Sequence, residues 1–221
     1  VYKRQVKASD IEFTVTSEKE VQKVVMIDKI VEIVKTDLVT GEEVEGAELK
    51  VIDEDGNVID EWTSTKEAHI VKGLEEGKNY KLVEITAPYG FEIAEEISFT
   101  VTEDKETQRV EMKDMPILKT IKVIKADSET KETIKAKFKF GIYEDPECTK
   151  LIKEVKADKE SGTVTFEDLR YGTYYIKETK APFGYQLSDK VVKIEINNEG
   201  TFADGELLED NDSICTFTYY N

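Results

Sequence analysis

Short stretches in which apolar and polar residues alternate recur along most of the 221-residue chain. A period of two places the apolar side chains on one face of a β-strand, and no stretch shows the 3.6-residue period of a useful amphipathic helix. Turn-forming sequences such as residues 55–57 (DGN) and 88–90 (PYG) separate the alternating stretches. Many short strands with this punctuation predict an all-β protein made of sandwiches.

The alternation predicts two successive sets of strands that follow one plan. The first set is residues 31–35, 48–52, 58–62, 69–71, 80–86, 97–102 and 108–113. The second set is residues 120–125, 136–143, 151–155, 162–166, 173–179, 190–196 and 213–220. A repeated plan of this kind indicates a tandem array of similar domains.

The sequence itself contains the repeat. Residues 81–91 (KLVEITAPYGF) return as residues 175–185 (YIKETKAPFGY), with Glu, Ala, Pro and Gly at the same places. Residues 10–20 (DIEFTVTSEKE) match residues 96–106 (EISFTVTEDKE) in the same way. Three copies of one unit, the first incomplete, therefore account for the chain.

We predict the last strands of a preceding repeat in residues 1–29 and complete domains in residues 30–115 and 116–221. Two strands alone cannot bury an apolar face, so we expect residues 1–29 either to pack on another surface or to be poorly ordered. The link near Pro116 is short and has no Gly/Ser-rich spacer. We expect the two complete domains to stand end to end with limited freedom.

The net charge of the chain limits the kinds of molecule that it can bind. The chain has 31 Lys and Arg residues against 48 Asp and Glu residues, a net charge of −17, and no cluster of basic residues in the sequence offers a compensating stripe. Such a chain repels phosphate backbones, so we predict no nucleic-acid partner. It contains no apolar run of about twenty residues, so we predict no membrane insertion.

Cysteine and histidine content argues against disulfide frameworks and histidine-based metal sites. The two cysteines are Cys148, in a turn-like stretch, and Cys215, on the inward parity of a strand. We expect both to be free, and a bridge between them is the alternative. His69 is the only histidine. We predict no metal and no cofactor.

Acidic and aromatic clusters have simple interpretations. Residues 53–57 (DEDGN) resemble a calcium loop but lack its closing Glu, so a hairpin turn is the better interpretation. Residues 204–206 and 209–212 are expected to be acidic loops. Trp62 and the strand tyrosines are most simply packing residues, and a sugar-binding platform is the alternative.

In the first complete domain, strand parity places three polar residues on apolar faces. They are Lys35 on the first strand, Glu84 on the fifth and Asp114 at the end of the last. Any one of them is most simply a partly solvated ion pair at the rim of the sandwich. Since burying polar groups without compensation is costly, three of them in matching registers of two repeats favour a functional group of residues.

The second domain repeats this placement with Lys125, Glu178 and Asn221. A lysine in apolar surroundings has a depressed pKa and can present a free amine. A buried glutamic acid can stay protonated, donate a hydrogen bond to the side-chain carbonyl of Asp or Asn, and transfer the proton. Attack of the amine then gives an amide between the two side chains.

The motif E-x-x-A-P-[aromatic]-G-[aromatic], with a lysine on the first strand and Asp or Asn closing the last, resembles the collagen-adhesin B-type (Cna B-type) repeats of Gram-positive surface adhesins and pilins. The resemblance covers both complete domains and residues 1–29. It implies tandem immunoglobulin-like, prealbumin-like β-sandwiches. It also implies one isopeptide bond per complete domain, each assisted by a glutamic acid: Lys35 to Asp114 with Glu84, and Lys125 to Asn221 with Glu178. Asp28 would be the acceptor of the preceding repeat, without its lysine.

The function implied by the resemblance is that of structural stalk repeats in a cell-wall-anchored protein outside a Gram-positive cell. A bond between the first and last strands would carry tension without loading the hydrogen bonds between strands. The partners expected are neighbouring repeats of the same chain and, through other domains, a host surface ligand. The alternative is an adhesive module that itself binds a host protein or polysaccharide. An enzyme with turnover is not expected.

Overall fold

The computed structural model describes residue 14, residues 30–102 and residues 107–220. These residues form seventeen β-strands and no helix, which confirms the predicted all-β class. Nowhere in this part of the chain is there a helix long and apolar enough to cross a membrane. The strands predicted within residues 1–29, and with them Asp28, lie outside the described residues, as does Asn221.

The chain divides into two compact units, Val1–Pro116 and Ile117–Asn221. The described residues of the first unit form β1 (Ile30–Asp37), β2 (Glu48–Ile52), β3 (Val58–Thr63), β4 (His69–Lys72), β5 (Asn79–Thr86), β6 (Ile97–Thr100) and β7 (Thr107–Asp114). One sheet has the order β3-β2-β5-β6 and the other the order β4-β1-β7. Strands β1 and β7 pair in parallel, so the first and last of these strands are neighbours.

The second unit repeats this arrangement with additional short strands. Its described residues form β8 (Lys119–Ala126), β9 (Lys139–Tyr143), β10 (Leu151–Lys156), β11 (Thr163–Leu169), β12 (Gly172–Lys180), β13 (Val191–Asn197), β14 (Gly200–Ala203), β15 (Glu206–Leu207), β16 (Asp210–Asn211) and β17 (Ile214–Tyr220). The sheets have the orders β10-β9-β12-β13-β14-β15 and β11-β8-β17-β16. Strand β17 pairs with β8 in parallel, as β7 pairs with β1.

All fourteen predicted strands are present, with ends that differ by up to three residues, but β14, β15 and β16 were not predicted. The prediction of acidic loops at residues 204–206 and 209–212 is therefore confirmed for residues 204–205, 209 and 212, and it is wrong for Glu206, Asp210 and Asn211, which lie in strands. Asp204 has a φ of 50° in the turn that joins β14 to β15, and Asp210 begins β16. Strands of two residues are too short to show an alternating pattern.

Each unit has its own apolar core between its two sheets. In the first unit the core is mainly aliphatic and includes Val31, Ile33, Leu49, Leu82 and Met112. In the second unit it is more aromatic and includes Phe138, Phe140, Phe166 and Tyr219. Full burial of a Leu, Ile or Phe side chain stabilises a fold by about 1.5–3 kcal/mol. These cores are the surroundings in which the polar residues of the candidate site lie.

Residues 53–57 form the predicted hairpin turn, between β2 and β3. The Asp53 carboxylate accepts hydrogen bonds from the backbone N–H groups of Asp55 and Asn57 (2.9 and 2.8 Å). Gly56 adopts a φ of 84°, which glycine reaches without steric cost. The turn is thus held by its own hydrogen bonds.

Both cysteines are free, as predicted: Cys215 is buried and Cys148 is half-buried. Trp62 on β3 stacks on His69 of β4, with ring centroids 4.1 Å apart and an interplanar angle of 10°. Strands β3 and β4 are edge strands of different sheets. The stack therefore joins the two sheets of the first unit at one edge, which is a packing role.

Strand pairing brings together lysines that are far apart in the sequence. Lys156, Lys139 and Lys180 are aligned across β10, β9 and β12. The Lys139 ammonium lies 2.5 Å from a carboxylate oxygen of Glu154. This alignment arises from strand register and not from sequence, and three lysines do not form the stripe that would compensate a net charge of −17.

Candidate functional site

Lys35 is a buried lysine in the first unit. It points into the core from β1, as strand parity predicts, and its side chain is 1% exposed. The ammonium nitrogen Nζ lies 2.9 Å from Oε1 of Glu84 and donates a short hydrogen bond to Oδ1 of Asp114. The two carboxylates are both fully buried. The three side chains placed on apolar faces by the sequence analysis are thus in contact.

Both sheets of the first unit contribute to this group. Strands β1 and β7 are adjacent, and Lys35 is opposite Met112 in their parallel register. Asp114, two residues farther along β7, faces the same side. Glu84 comes from β5 in the facing sheet. The lysine therefore lies between an acceptor from its own sheet and an acid from the opposite one.

Burial favours the neutral form of the acceptor. Desolvation raises the pKa of the Asp114 carboxyl, and the hydrogen bond and charge of Lys35 partly oppose this. Oδ2 of Asp114 and Oε1 of Glu84 are buried and accept no hydrogen bond of acceptable geometry from the described residues. Unsatisfied buried oxygens are costly, and a role in a reaction is one of the explanations for them.

The second carboxylate oxygen of Glu84 has a backbone partner. The N–H of Ala94 donates to Oε2 at 2.6 Å. Glu84 is therefore held at one oxygen, while the other faces Lys35. This contact was not foreseen from the sequence.

The second unit contains the matching pair. Nζ of Lys125 lies 2.6 Å from Oε1 of Glu178, and both side chains are 0% exposed. The rings of Phe138, Phe140 and Tyr219 surround the ammonium at 5.6, 5.5 and 5.2 Å from their centroids. Desolvation lowers the pKa of Lys125, and the close contact with the charge of Glu178 opposes this shift.

Glu178 is held as Glu84 is. The N–H of Ser188 donates to Oε2 at 3.0 Å, ten residues after the glutamate, the same separation as between Glu84 and Ala94. Oε1 of Glu178, like Oε1 of Glu84, has no hydrogen bond of acceptable geometry with the described residues. The constant separation in two repeats is the signal from which these two backbone contacts could have been found.

The strand registers of the two units also agree. Lys125 is opposite Tyr219 in the pairing of β8 with β17, and Lys35 is opposite Met112 in the pairing of β1 with β7. In sequence, Asn221 follows Tyr219 by two residues, as Asp114 follows Met112. Asn221 itself lies outside the described residues.

Comparison with known proteins identifies the fold family. The sequence model of the SpaA prealbumin-like fold domain matches residues 29–116 and again residues 119–206. No curated protein matches the chain.

Solved structures share the fold. The TIE protein of Bacillus anthracis is 24% identical with a TM-score of 0.65, over 88% of this chain and 34% of that one. The C-terminal fragment of the pilus adhesin SpaC from Lactobacillus rhamnosus GG is 17% identical with a TM-score of 0.58, over 88% of this chain and 97% of that one. A structure of SpaC itself is 17% identical with a TM-score of 0.56, over 89% of this chain and 31% of that one.

This chain therefore spans about a third of the TIE and SpaC chains that it matches. Identities at this level show a common fold. The two family matches cover most of the sequence, and they confirm the prealbumin-like class that the motif of residues 81–91 and 175–185 predicts. The chain belongs to the SpaA prealbumin-like fold domain family and carries two copies of its domain in tandem.

Proposed function

We propose that the two units are stalk domains of an adhesin or pilin on the surface of a Gram-positive cell, and that each is closed by an isopeptide bond between its first and last strands. The observation that carries this proposal is the buried contact of Lys35 with Glu84 and Asp114. A stabilising role alone does not explain it well, because the desolvation of three ionisable groups offsets most of their attraction.

The reaction in the first unit is a condensation. The neutral amine of Lys35 attacks Cγ of Asp114, a C–N bond forms, a C–O bond breaks, and one water leaves. Glu84 takes a proton from the attacking nitrogen and gives a proton to the departing oxygen. Its Oε1 is the oxygen that lies 2.9 Å from Nζ. Burial favours the neutral form of the acceptor Asp114.

Proximity supplies most of the rate. Groups fixed in reacting geometry behave as though present at effective concentrations on the order of 10⁵ M or more. Each unit reacts once, so the process is maturation of the chain and not turnover of a substrate.

In the second unit the proposed bond joins Lys125 to Asn221 and releases ammonia, with Glu178 as the assisting acid. The support is the contact of Lys125 with Glu178 at 2.6 Å and the register shared by β8–β17 and β1–β7. In the same way, Asp28 would accept a lysine of a preceding repeat.

The location of the bond gives it a mechanical role. Among the described strands of the first unit β1 is the first and β7 is the last, and the two are neighbours. Tension applied along the chain would pass from β1 to β7 through the amide, so the hydrogen bonds of the other strands would carry no load. Such a unit suits a stalk made of neighbouring repeats, anchored outside the cell at the wall and carrying ligand-binding domains elsewhere.

Peptide mapping tests the first bond directly. Trypsin cannot cleave after an acylated lysine, so the denatured protein should yield residues 30–50 joined to residues 114–119, lighter by one water than the sum of the two peptides. Separate peptides for residues 30–35 and 36–50 in full yield would show that Lys35 is free. The Lys35→Ala variant is the matched control and should give no joined peptide.

A further inference from the structure

The loop that follows the assisting glutamate makes the same tight turn in both repeats. We use "Pro-Gly loop" for residues 87–94 in the first unit and residues 181–188 in the second. In the first, the N–H of Phe91 donates to the carbonyl oxygen of Pro88 (3.1 Å), and Gly90 between them has a φ of 85°. This is a tight turn that needs a positive φ at its third residue.

The second Pro-Gly loop makes the same turn. The N–H of Tyr185 donates to the carbonyl oxygen of Pro182 (3.2 Å), and Gly184 has a φ of 87°. A Cβ added at Gly184 would meet no atom within 4 Å. The glycine is therefore required by backbone conformation and not by space.

The last residue of each loop contacts the assisting glutamic acid. The last residue of the loop, Ala94 or Ser188, donates its N–H to Oε2 of the glutamate that precedes the loop. An oxygen that already accepts an N–H is a poorer site for a proton than its partner oxygen. The exchangeable proton is thereby placed on Oε1, which in both units faces the lysine Nζ.

Each loop is also tied to the strand that carries the acceptor. In the first unit the N–H of Glu92 donates to the carbonyl oxygen of Met115, the residue after Asp114 (2.9 Å).

In the second unit the tie is made by a side chain of the acceptor strand. The Tyr219 hydroxyl donates to the carbonyl oxygen of Lys190 (2.9 Å) and is hydrogen-bonded to Oγ of Ser188 (2.8 Å). Tyr219 is fully buried, and burial raises the pKa of its hydroxyl, which keeps it a donor. The two units thus join the loop to the last strand by different contacts.

We propose that the Pro-Gly loop is a positioning element for amide formation: it places the proton of the assisting acid on Oε1 and fixes that acid relative to the acceptor strand. Ala94, Glu92 and, in the second unit, Ser188 and Tyr219 are positioning residues. This inference rests on the proposed isopeptide chemistry. It gives a physical role to the part of the repeated motif that follows the glutamate.

The test measures how fast the first unit crosslinks. Protein made in a short cell-free pulse is chased, quenched in denaturant at intervals, and mapped for the joined peptides of residues 30–50 and 114–119. Ala94→Pro removes the N–H that holds Glu84, and Ala94→Ser retains it. We expect crosslinking in Ala94→Pro to be about 10- to 100-fold slower, the range for a small misplacement of a reacting group. Ala94→Ser should crosslink at the wild-type rate.

Stability is measured separately, so that a merely structural role can be recognised. The same substitutions are placed in the Lys35→Ala background, where no bond can form, and unfolded by denaturant. If Ala94→Pro does not fold in that background, two substitutions at Gly90 take the place of the Ala94 variants. Gly90→Val is the disruptive change, because a β-branched residue does not tolerate a positive φ, and Gly90→Asn is the control, because Asn does. Slow crosslinking is then expected for Gly90→Val alone.

The outcomes separate the inference from the proposed function. If the first unit of the wild-type protein never loses water, both the isopeptide proposal and the positioning role are wrong. Wild-type protein that crosslinks, together with a folded Ala94→Pro or Gly90→Val variant that crosslinks equally fast, overturns the positioning role alone.

Discussion

Lys35 reaches Asp114 diagonally: in the parallel pairing of β1 with β7 the lysine is opposite Met112, and its Nζ contacts the carboxylate two residues farther on. Asp37 and Asp114 form the last pair of this register. The contact therefore lies where the chain leaves the unit. A covalent bond at this position would enclose nearly all of the strands that the structure describes in this unit.

The assisting acid can be tested by an isosteric change. In Glu84→Gln the side chain can still accept from Ala94 but cannot transfer a proton, so we expect the fold to persist and the first bond not to form. Loss of a covalent loop of 79 residues should lower the free energy of unfolding by about 4.5 kcal/mol by the chain-entropy relation. Denaturant unfolding measures this.

Glu178→Gln is the reciprocal control and should abolish the second bond alone. Peptide mapping of both variants assigns each bond to its acid. Formation of the first bond at the normal rate in Glu84→Gln would remove Glu84 from the mechanism.

The leaving group can be exchanged at the acceptor. Asp114→Asn should still crosslink, because an amide presents the same carbonyl carbon to Lys35, but the first unit should then release ammonia in place of water. Asp114→Ala should not crosslink. The two cases are distinguished by the mass of the joined peptide pair, and a joined peptide in Asp114→Ala would show that Lys35 reacts elsewhere.

The buried acceptor should make the uncrosslinked protein sensitive to pH. Burial raises the pKa of Asp114 above its unfolded value, so the folded state binds this proton more tightly. The resulting stability is fully present below the unfolded pKa and is lost as the pH rises through the folded pKa. In Lys35→Ala we therefore expect the free energy of unfolding to fall as the pH rises above the ordinary pKa of an aspartate, about 4, by at most roughly 1.4 kcal/mol per pH unit.

The control for this pH dependence is Lys35→Ala combined with Asp114→Asn, which keeps Glu84 and removes the titrating acceptor. The comparison is made by denaturant unfolding at each pH. If the free energy of unfolding changes with pH in the same way in the single and double variants, Asp114 does not contribute to the pH dependence.

Stretching the protein should distinguish a unit that contains the isopeptide bond from a unit that lacks it. With the bond in place, residues between Lys35 and Asp114 cannot extend. In Lys35→Ala the same segment should be released under tension, with a length gain on the order of 250 Å from 79 residues at roughly 3.3–3.6 Å each. Single-molecule stretching measures the gain. Lys72→Ala, which changes an exposed lysine on β4, is the control and should stay inextensible.

Strand parity was sufficient to predict which polar side chains point inward. Lys35, Glu84 and Asp114 are buried in the first unit, and Lys125 and Glu178 in the second. Parity works here because a single step of register would turn every apolar side chain of a strand toward solvent. The crosslinking roles assigned to these residues stay proposals.

Contacts that depend on pairing between distant strands could not be predicted in this way. The parallel neighbours β1 and β7, the stack of Trp62 on His69 and the alignment of Lys139 with Lys156 are set by tertiary register. The hydrogen bond from Ala94 to Glu84 depends on a loop turn at Gly90. A sequence read one strand at a time contains no information on these distances.

The mass of the intact protein under denaturing conditions tests the central claim most directly. If the buried amines have condensed with their acceptors, the mass is lower than the sequence mass by one water and one ammonia, and Lys35→Ala recovers the water. A wild-type mass equal to that of the sequence would contradict the claim and leave two ordinary β-sandwiches with buried ion pairs.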